Sequence, residues 1–377
     1  MAGTEARPRA HTEAGTEAGA RAHTVAGTTA RTGAHAEAQT PARTDGRARG
    51  WGGVAAMAAA CALTAALVLV PLSRHSGHPD ATAGAARAAA AGPAVPAAVG
   101  AVDAAGAETC EDPEASLRPA TADGPAIARI KAAGKLVAGI DQNSYRWGYR
   151  NPVTGRLEGF DIDLVRAIAK DILGDPDAVI YRAIPTNQRI PALQEGRVDV
   201  VVRTMTINCR RLADVAFSTA YFETGPQVLV PRTATDITGY DSSLKGHRIC
   251  SASGSTAEAA LKAQSFGADI SLTVPNQLDC LVRLQLGEVD GMVTDNALAA
   301  GLAAQDPSVR LVGRPLAKEF YGVAMNKGAS DLVRRVNKVL EDYRRGGDGS
   351  PWMTAYRNWL EADLPGIDAP PAPKYRD

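Results

Sequence analysis

Large apolar side chains fall along this chain in three regimes. Residues 1–50 carry one aliphatic residue larger than alanine beyond the initiator Met1, namely Val25. Residues 51–72, WGGVAAMAAACALTAALVLVPL, form an uncharged apolar run. From about Ile127 onward, short apolar runs alternate with stretches whose apolar positions recur at the helical period. The clearest example is 187–218, NQRIPALQEGRVDVVVRTMTINCRRLADVAFS. Ile190 and Leu193 carry a helical face toward a strand at 198–202, and Gly196 stands where a helix end calls for positive φ. A hydroxyl-bearing loop, 203–208, follows the strand and leads to Arg210 and Arg211 at the start of another helix.

The same phrase returns about ninety residues later as NQLDCLVRLQLGEVDGMVTDNALAAG, 276–301, with Asp295 at the strand end. Two similar α/β lobes follow from this repeat. One strand empties toward a guanidinium, Arg211, and the other toward a carboxylate, Asp295. Open α/β sheets bind ligands at the carboxyl ends of their strands. A zwitterion needs such a pair, a guanidinium for its carboxylate and a carboxylate for its ammonium. Two unrelated helix–strand units with ordinary surface charges are the competing reading.

The remaining pattern predicts strands at 136–140, about 180–181, 247–251, 270–274 and 290–294, and helices at 161–172, 188–195, 256–264 and 277–285. Asp161 lies near the cap of its helix. Segment 224–232 is expected to cross to the second lobe and 320–327 to cross back, making a hinge. The helix at 330–347 places Leu332, Val333, Val336, Val339 and Leu340 on one face, so its charges are the solvated side. A last helix is expected at 352–360.

Residues 1–50 are low-complexity Ala, Gly, Thr and Arg, a composition that cannot bury a core and predicts a disordered tail, or an overlong reading frame. Residues 51–72 are long enough to span a bilayer, and Arg43, Arg47 and Arg49 before them favour a cytoplasmic N-terminus. This segment reads as an uncleaved anchor or as a cleaved signal, with Cys61 buried in it. Residues 73–107 read as an Ala/Gly/Pro-rich linker. Four cysteines remain beyond the export segment, Cys110, Cys209, Cys250 and Cys280, which suggests disulfides; their spacing is not that of a zinc site.

Net charge is zero, so there is no basic footprint for nucleic acid. Of six histidines only His247 lies in the expected folded region, which argues against a His-based triad or metal site. There is no P-loop and no dinucleotide fingerprint. No cofactor is expected.

From about 127 to 361 the chain resembles the extracytoplasmic amino-acid-binding proteins of ABC importers, bacterial solute-binding protein family 3. The resemblance rests on KLVAGIDQNSYRWGYRNP (135–152), GFDIDLVRAIAKDI (159–172), IPALQEGRVDVVV (190–202), TMTINCRRLADVAFS (204–218), GSTAEAAL (254–261), GEVDGMVTD (287–295) and FYGVAMNKG (320–328), in the family's order and spacing. CSASGSTAEA with the later Cys280 is most similar to glutamate-binding proteins of actinobacteria. The resemblance implies an α/β, two-lobed periplasmic-binding-protein fold of type II, each lobe a sheet flanked by helices. Lobe 1 would take 108–228 and 323–377, and lobe 2 would take 229–322. It implies a Cys250–Cys280 bridge, which leaves Cys110 and Cys209 for each other or as free thiols.

By the same resemblance, Arg211 meets the α-carboxylate and Asp295 the α-ammonium. Thr204 and Thr206 match loop positions that hold the ligand head. Ser255 and Thr256 start a helix whose free N–H groups favour an anion, although plain capping explains them as well. Arg189 stands where acidic-amino-acid binders carry an arginine for the side-chain carboxylate, with Thr186 beside it. Arg203 replaces a small residue and adds a second cation. Asp141 departs from the acidic binders, and a pairing with Arg189 would admit glutamine or asparagine as readily as glutamate or aspartate. Tyr145 and Trp147 are expected to pack on ligand methylenes or to serve as core aromatics. The expected partners are an ABC permease and a separate ATPase chain, with the membrane reached through the N-terminal segment. A membrane-tethered sensor using the same clamshell is the alternative, and an enzyme is not expected.

Overall fold

The computed structural model describes residues 110–377. The expectations for 1–50, 51–72 and 73–107 lie outside these residues. No helix among the described residues is long and apolar enough to cross a membrane.

Two five-stranded sheets organise the structure. In the first, the order is Val179–Ala183, Leu136–Ile140, Val200–Val201, Ala324–Asn326, Val215–Phe217. The first three run parallel, and Ala324–Asn326 is antiparallel to both of its neighbours. In the second, the order is Thr273–Val274, Ile249–Ala252, Gly291–Asp295, Pro226–Pro231, Val309–Val312. Again three strands run parallel and one, Pro226–Pro231, is antiparallel to both neighbours. The two sheets thus share one order and one set of directions. The strands of the repeated phrase, Val200–Val201 and Gly291–Asp295, hold the same third place in each. Each follows its own helix, Arg189–Gln194 and Gln277–Gln285.

Local chemistry explains these elements. Gly196 ends the turn after Arg189–Gln194 with φ 66°, as its position in the sequence requires. Asn276 and Asp279 form a capping box at the start of Gln277–Gln285. The strand expected at 198–202 is shorter in the ladder, because Val200–Val201 alone pair as strand while Asp199 N–H and Val202 N–H donate to Val137 O and Gly139 O at its ends. The helix Ser330–Arg344 buries the five aliphatic residues named above and stops short of 347.

Each sheet is completed by the strand that arrives from the other lobe. Pro226–Pro231 follows the first crossing and Ala324–Asn326 follows the second. The crossing segments pair with one another, Phe222–Thr224 antiparallel to Glu319–Tyr321, with Tyr321 opposite Phe222. The crossing therefore lies slightly earlier than the expected 224–232, and all of Pro226–Pro231 belongs to the second sheet. Gly225-Pro226 marks the boundary between the crossing pair and this strand, a turn signal that the apolar period alone does not register.

An aromatic cluster supports the crossing. The Trp147 ring lies 4.8 Å from that of Phe222 and 5.6 Å from that of Tyr321, edge to face in both cases. Its indole N–H donates to Ala297 O across the lobes at 3.0 Å. The Trp352 indole N–H donates to Tyr221 O at 2.8 Å. Two disulfides complete the frame. Cys250–Cys280 ties the strand Ile249–Ala252 to the helix Gln277–Gln285, and Cys110–Cys209 ties the start of the described chain to the helix Cys209–Asp214. Both pairings are those the resemblance implied or left over.

The lobes approach closely where Gly254 of the second meets Asn187 of the first. A Cβ on Gly254, whose φ is +77°, would lie 2.9 Å from the Asn187 Cα. G254A should hold the lobes apart and enlarge the radius of gyration in small-angle X-ray scattering. A curve identical to that of the wild type would show that this contact does not set their spacing.

Candidate functional site

Three arginines from the first lobe converge on the seam, and all are at least 97% buried: Arg189 at 3% exposure, Arg203 at 0% and Arg211 at 3%. The helix Arg189–Gln194 starts with the first, the strand Val200–Val201 ends just before the second, and Cys209–Asp214 carries the third. Asn208 caps that last helix by accepting the Arg211 N–H at 3.0 Å. Arg211 donates through Nη1 to Thr206 O at 2.7 Å and through Nη2 to Gly254 O of the second lobe at 3.1 Å. Arg189 donates through Nε to Thr186 O at 2.9 Å, through Nη1 to Arg203 O and Thr204 O, and through Nη2 to Gly254 O.

Among the described residues, only one of the three meets a carboxylate directly. Arg203 Nη2 lies 3.0 Å from Asp141 Oδ2, with both side chains buried. Its Nη1 donates to Thr186 Oγ1 at 3.0 Å and its Nη2 also reaches Asn276 Oδ1 of the second lobe at 2.9 Å. Asp141 accepts further bonds from Gln142 N, Asn143 N and Ser144 Oγ. Asp141 is therefore the counter-ion of Arg203 and not of Arg189, whose fork points at main-chain oxygens. Burial lowers the pKa of Arg211 to about 10, against the opposing pull of Glu319 and Asp295. Burial, then the charges of Arg211 and Arg203, hold Arg189 well below its ordinary value.

The loop between Arg203 and Asn208 is anchored from below. Met205 and Ile207 are buried in the core. Thr204 has φ 44°, the left-handed region that a β-branched residue rarely adopts and that costs roughly 1–3 kcal/mol. Its N–H donates to Asp161 Oδ2 at 3.1 Å, and Tyr221 O–H donates to Asp161 Oδ1 at 2.9 Å. Asp161 is not a helix cap: the helix Phe160–Leu173 has Gly159 at its N-cap, and the Asp161 side chain turns inward at 1% exposure. Burial raises its pKa to about 7, against the opposing effect of those two hydrogen bonds. Thr206 Oγ1 donates to Glu319 Oε2 at 2.7 Å.

The second lobe faces this loop with Asp295 at the end of its strand. Asp295 is 6% exposed and its Oδ2 accepts from Tyr321 O–H at 2.6 Å. Burial and then the neighbouring Glu319 charge raise its pKa to about 7. Thr256 Oγ1 donates to the same Glu319 oxygen as Thr206, at 2.9 Å, so Glu319 bridges the lobes. Ser255 Oγ accepts the Glu258 N–H at 3.0 Å as a helix cap. Thr186 N–H donates to Pro275 O of the second lobe at 3.1 Å.

The structure thus brings Arg189, Arg203, Arg211, Thr186, Thr204, Thr206, Asp141, Asp295, Ser255 and Thr256 to one seam. Trp147 lies in the core behind Tyr321. Tyr145 lies on the outer hairpin, its ring 5.0 Å from that of Tyr149, beside a groove of about 570 Å³ that includes Leu278 and Gln305. Asp161, Glu319, Tyr321 and Asn276 are additions. The signal for Asp161 was its place inside GFDID, two acids flanking a buried Ile162; Glu319 carries no local signal.

Comparison with known proteins follows the same lines. Residues 136–361 match the family described as bacterial extracellular solute-binding proteins, family 3. The ABC transporter glutamine-binding protein of Bacillus subtilis is 34% identical over 237 residues, covering 63% of this chain and 85% of that protein. The glutamate-binding protein of Corynebacterium efficiens is 30% identical over 58% of this chain and 76% of that protein. The solved structure of an ancestral arginine-binding protein bound to glutamine superposes with a TM-score of 0.56 at 35% identity, over 60% of this chain and 98% of that one. With its type II two-lobed fold, the chain belongs to the bacterial extracellular solute-binding proteins, family 3, and is a binding protein and not an enzyme.

Proposed function

We propose that the chain is the extracytoplasmic amino-acid-binding component of an ABC importer, and that it closes on glutamate or aspartate. One observation carries the choice of an acidic ligand. Asp141 is consumed by Arg203, so among the described residues Arg189 and Arg211 are buried cations held by neutral oxygens. An α-carboxylate on Arg211 and a side-chain carboxylate on Arg189 would supply the missing charge. Asp295 would take the α-ammonium. Thr204, Thr206, Ser255 and Thr256 would furnish hydroxyl and N–H groups around the head of the ligand. Binding would start on the first lobe, and Asp295 with the 254–256 turn would engage as the second swings in. Such differential contacts bias the closed state that a permease reads.

Glutamine or asparagine is the second reading. It is favoured by the glutamine-binding relative in Bacillus subtilis and by the partial neutralisation of the corner through Asp141. The Bacillus subtilis relative carries an ABC transporter name, which favours an importer over a tethered sensor, and an L-glutamate/L-aspartate-binding protein of Pseudomonas aeruginosa favours the acidic ligand.

Isothermal titration calorimetry on the chain tests these assignments. R211A should cost about 3–5 kcal/mol of binding, because a carboxylate is left unpaired in a dry cleft. Micromolar affinity surviving in that variant would refute the role of Arg211. R189A should weaken L-glutamate far more than L-glutamine, and equal losses would mean that Arg189 does not read the side chain.

The pH dependence has a definite sign. With its pKa near 7, Asp295 is largely protonated below that value in the unliganded protein, and an ammonium ligand must expel the proton. Affinity should fall about tenfold from about pH 8 to about pH 6. Folding responds the other way: a carboxyl raised from 3.8 toward 7 takes up a proton that the unfolded chain does not, so unliganded stability rises as pH falls through that window. Asp161 titrates in the same range, so D295N separates the two. A pH response of affinity that survives in D295N would assign it elsewhere.

A further inference from the structure

We propose that Asp161 is a positioning residue for ligand capture: its carboxylate, buried beneath the cleft, holds Thr204 in the left-handed conformation that aims residues 203–206 at the amino acid. The proposal deepens the functional reading above and rests on it for the identity of the ligand.

Two donors converge on this one group. Thr204 N–H points at Oδ2 and Tyr221 O–H at Oδ1, at 3.1 and 2.9 Å. An ionised carboxylate is acceptor-only and satisfies both; an asparagine would turn an NH₂ toward one of them. The Thr204 conformation has φ 44°, and threonine does not choose it unaided. Backbone held in such a region persists when its surroundings over-determine it, and such sites cluster where function needs a fixed geometry. Here the neighbours on both sides matter. Arg203 before it reaches Asp141, Thr186 and Asn276, and Thr204 O accepts from Arg189. Thr206 after it bonds Glu319 and, through its carbonyl, Arg211. A rotation at Thr204 would disturb all three guanidinium positions together.

Asp161 also sits one step from the opposite lobe. Tyr221 N–H donates to Tyr321 O at 2.8 Å, and Tyr321 O–H donates to Asp295. The carboxylate under the first-lobe loop and the carboxylate of the second lobe are thus tied to adjacent tyrosines of the hinge.

The test pairs D161N with T204G, since glycine enters the left-handed region without help. Calorimetry with L-glutamate and L-glutamine should show D161N alone weakening the bound amino acid tenfold or more, and less than threefold when introduced into T204G, relative to T204G itself. The same factor in both backgrounds would overturn the proposal, because a general loss of stability ignores residue 204. A second readout needs no ligand. In the unliganded protein the Thr204 amide proton should be shifted downfield and slow to exchange, and D161A, which leaves that amide without its acceptor, should abolish both. A Thr204 amide unchanged in D161A overturns the positioning role. Failure of the wild type to bind either amino acid would instead sink the ligand reading, while this amide measurement still decides the role of Asp161.

Discussion

Burying three guanidinium groups at the seam between two lobes is the constraint that the rest of the structure answers. Taking such an ion out of water costs several kcal/mol even after relaxation, so each must find partners in place. Arg203 has its carboxylate in Asp141. Arg189 and Arg211 make do with carbonyl oxygens, one of which, Gly254 O, belongs to the opposite lobe and serves both. The seam is therefore cationic on one side and fastened by the main chain on the other. Across it, Asp295 and Glu319 set a compensating negative field.

The hinge is built so that this seam can open without dismantling either core. Each sheet contains the strand that has just crossed, so the crossing segments are rooted at both ends in completed ladders. Between those roots lies the short pair Phe222–Thr224 and Glu319–Tyr321. Its aromatic residues rest on Trp147, Phe160 and Trp352. The same two strands present Glu319 and Tyr321 to the site. The crossing pair and the candidate site therefore share residues.

Much of this was legible in the chain. The repeat of helix, Gly-x-Val-Asp, strand and polar residue is a local signal, and it set Arg211 beyond the end of one strand and Asp295 at the end of the other. Helix Gln277–Gln285 spans the residues that periodicity assigned to it, because its cap and its apolar face are both encoded within a few positions. Family resemblance supplied the roles of Arg211 and Asp295 and the Cys250–Cys280 pair. Other features escaped. Trp147 had two readings, ligand contact or core aromatic, and the structure places it in the core against Tyr321. Asp161 lies near the cap of its helix, as read, but its inward contacts with Thr204 and Tyr221 carried no local signal. Glu319 gave no sign at all, since its partners Thr206 and Thr256 lie 113 and 63 residues away.

The amino-acid sequence alone predicted a repeated helix–strand unit, with a guanidinium beyond one strand and a carboxylate at the end of the other; the two-lobed arrangement was what the family resemblance implied. The repeat follows from apolar period and turn chemistry, which act between near neighbours along the chain. Only the tertiary structure decided which charge answers which: Asp141 for Arg203, carbonyl oxygens for Arg189 and Arg211, and Thr204 bound to Asp161. The reason is that a buried charge selects its partner by distance and desolvation, and both are set by segments that meet only when the lobes have folded.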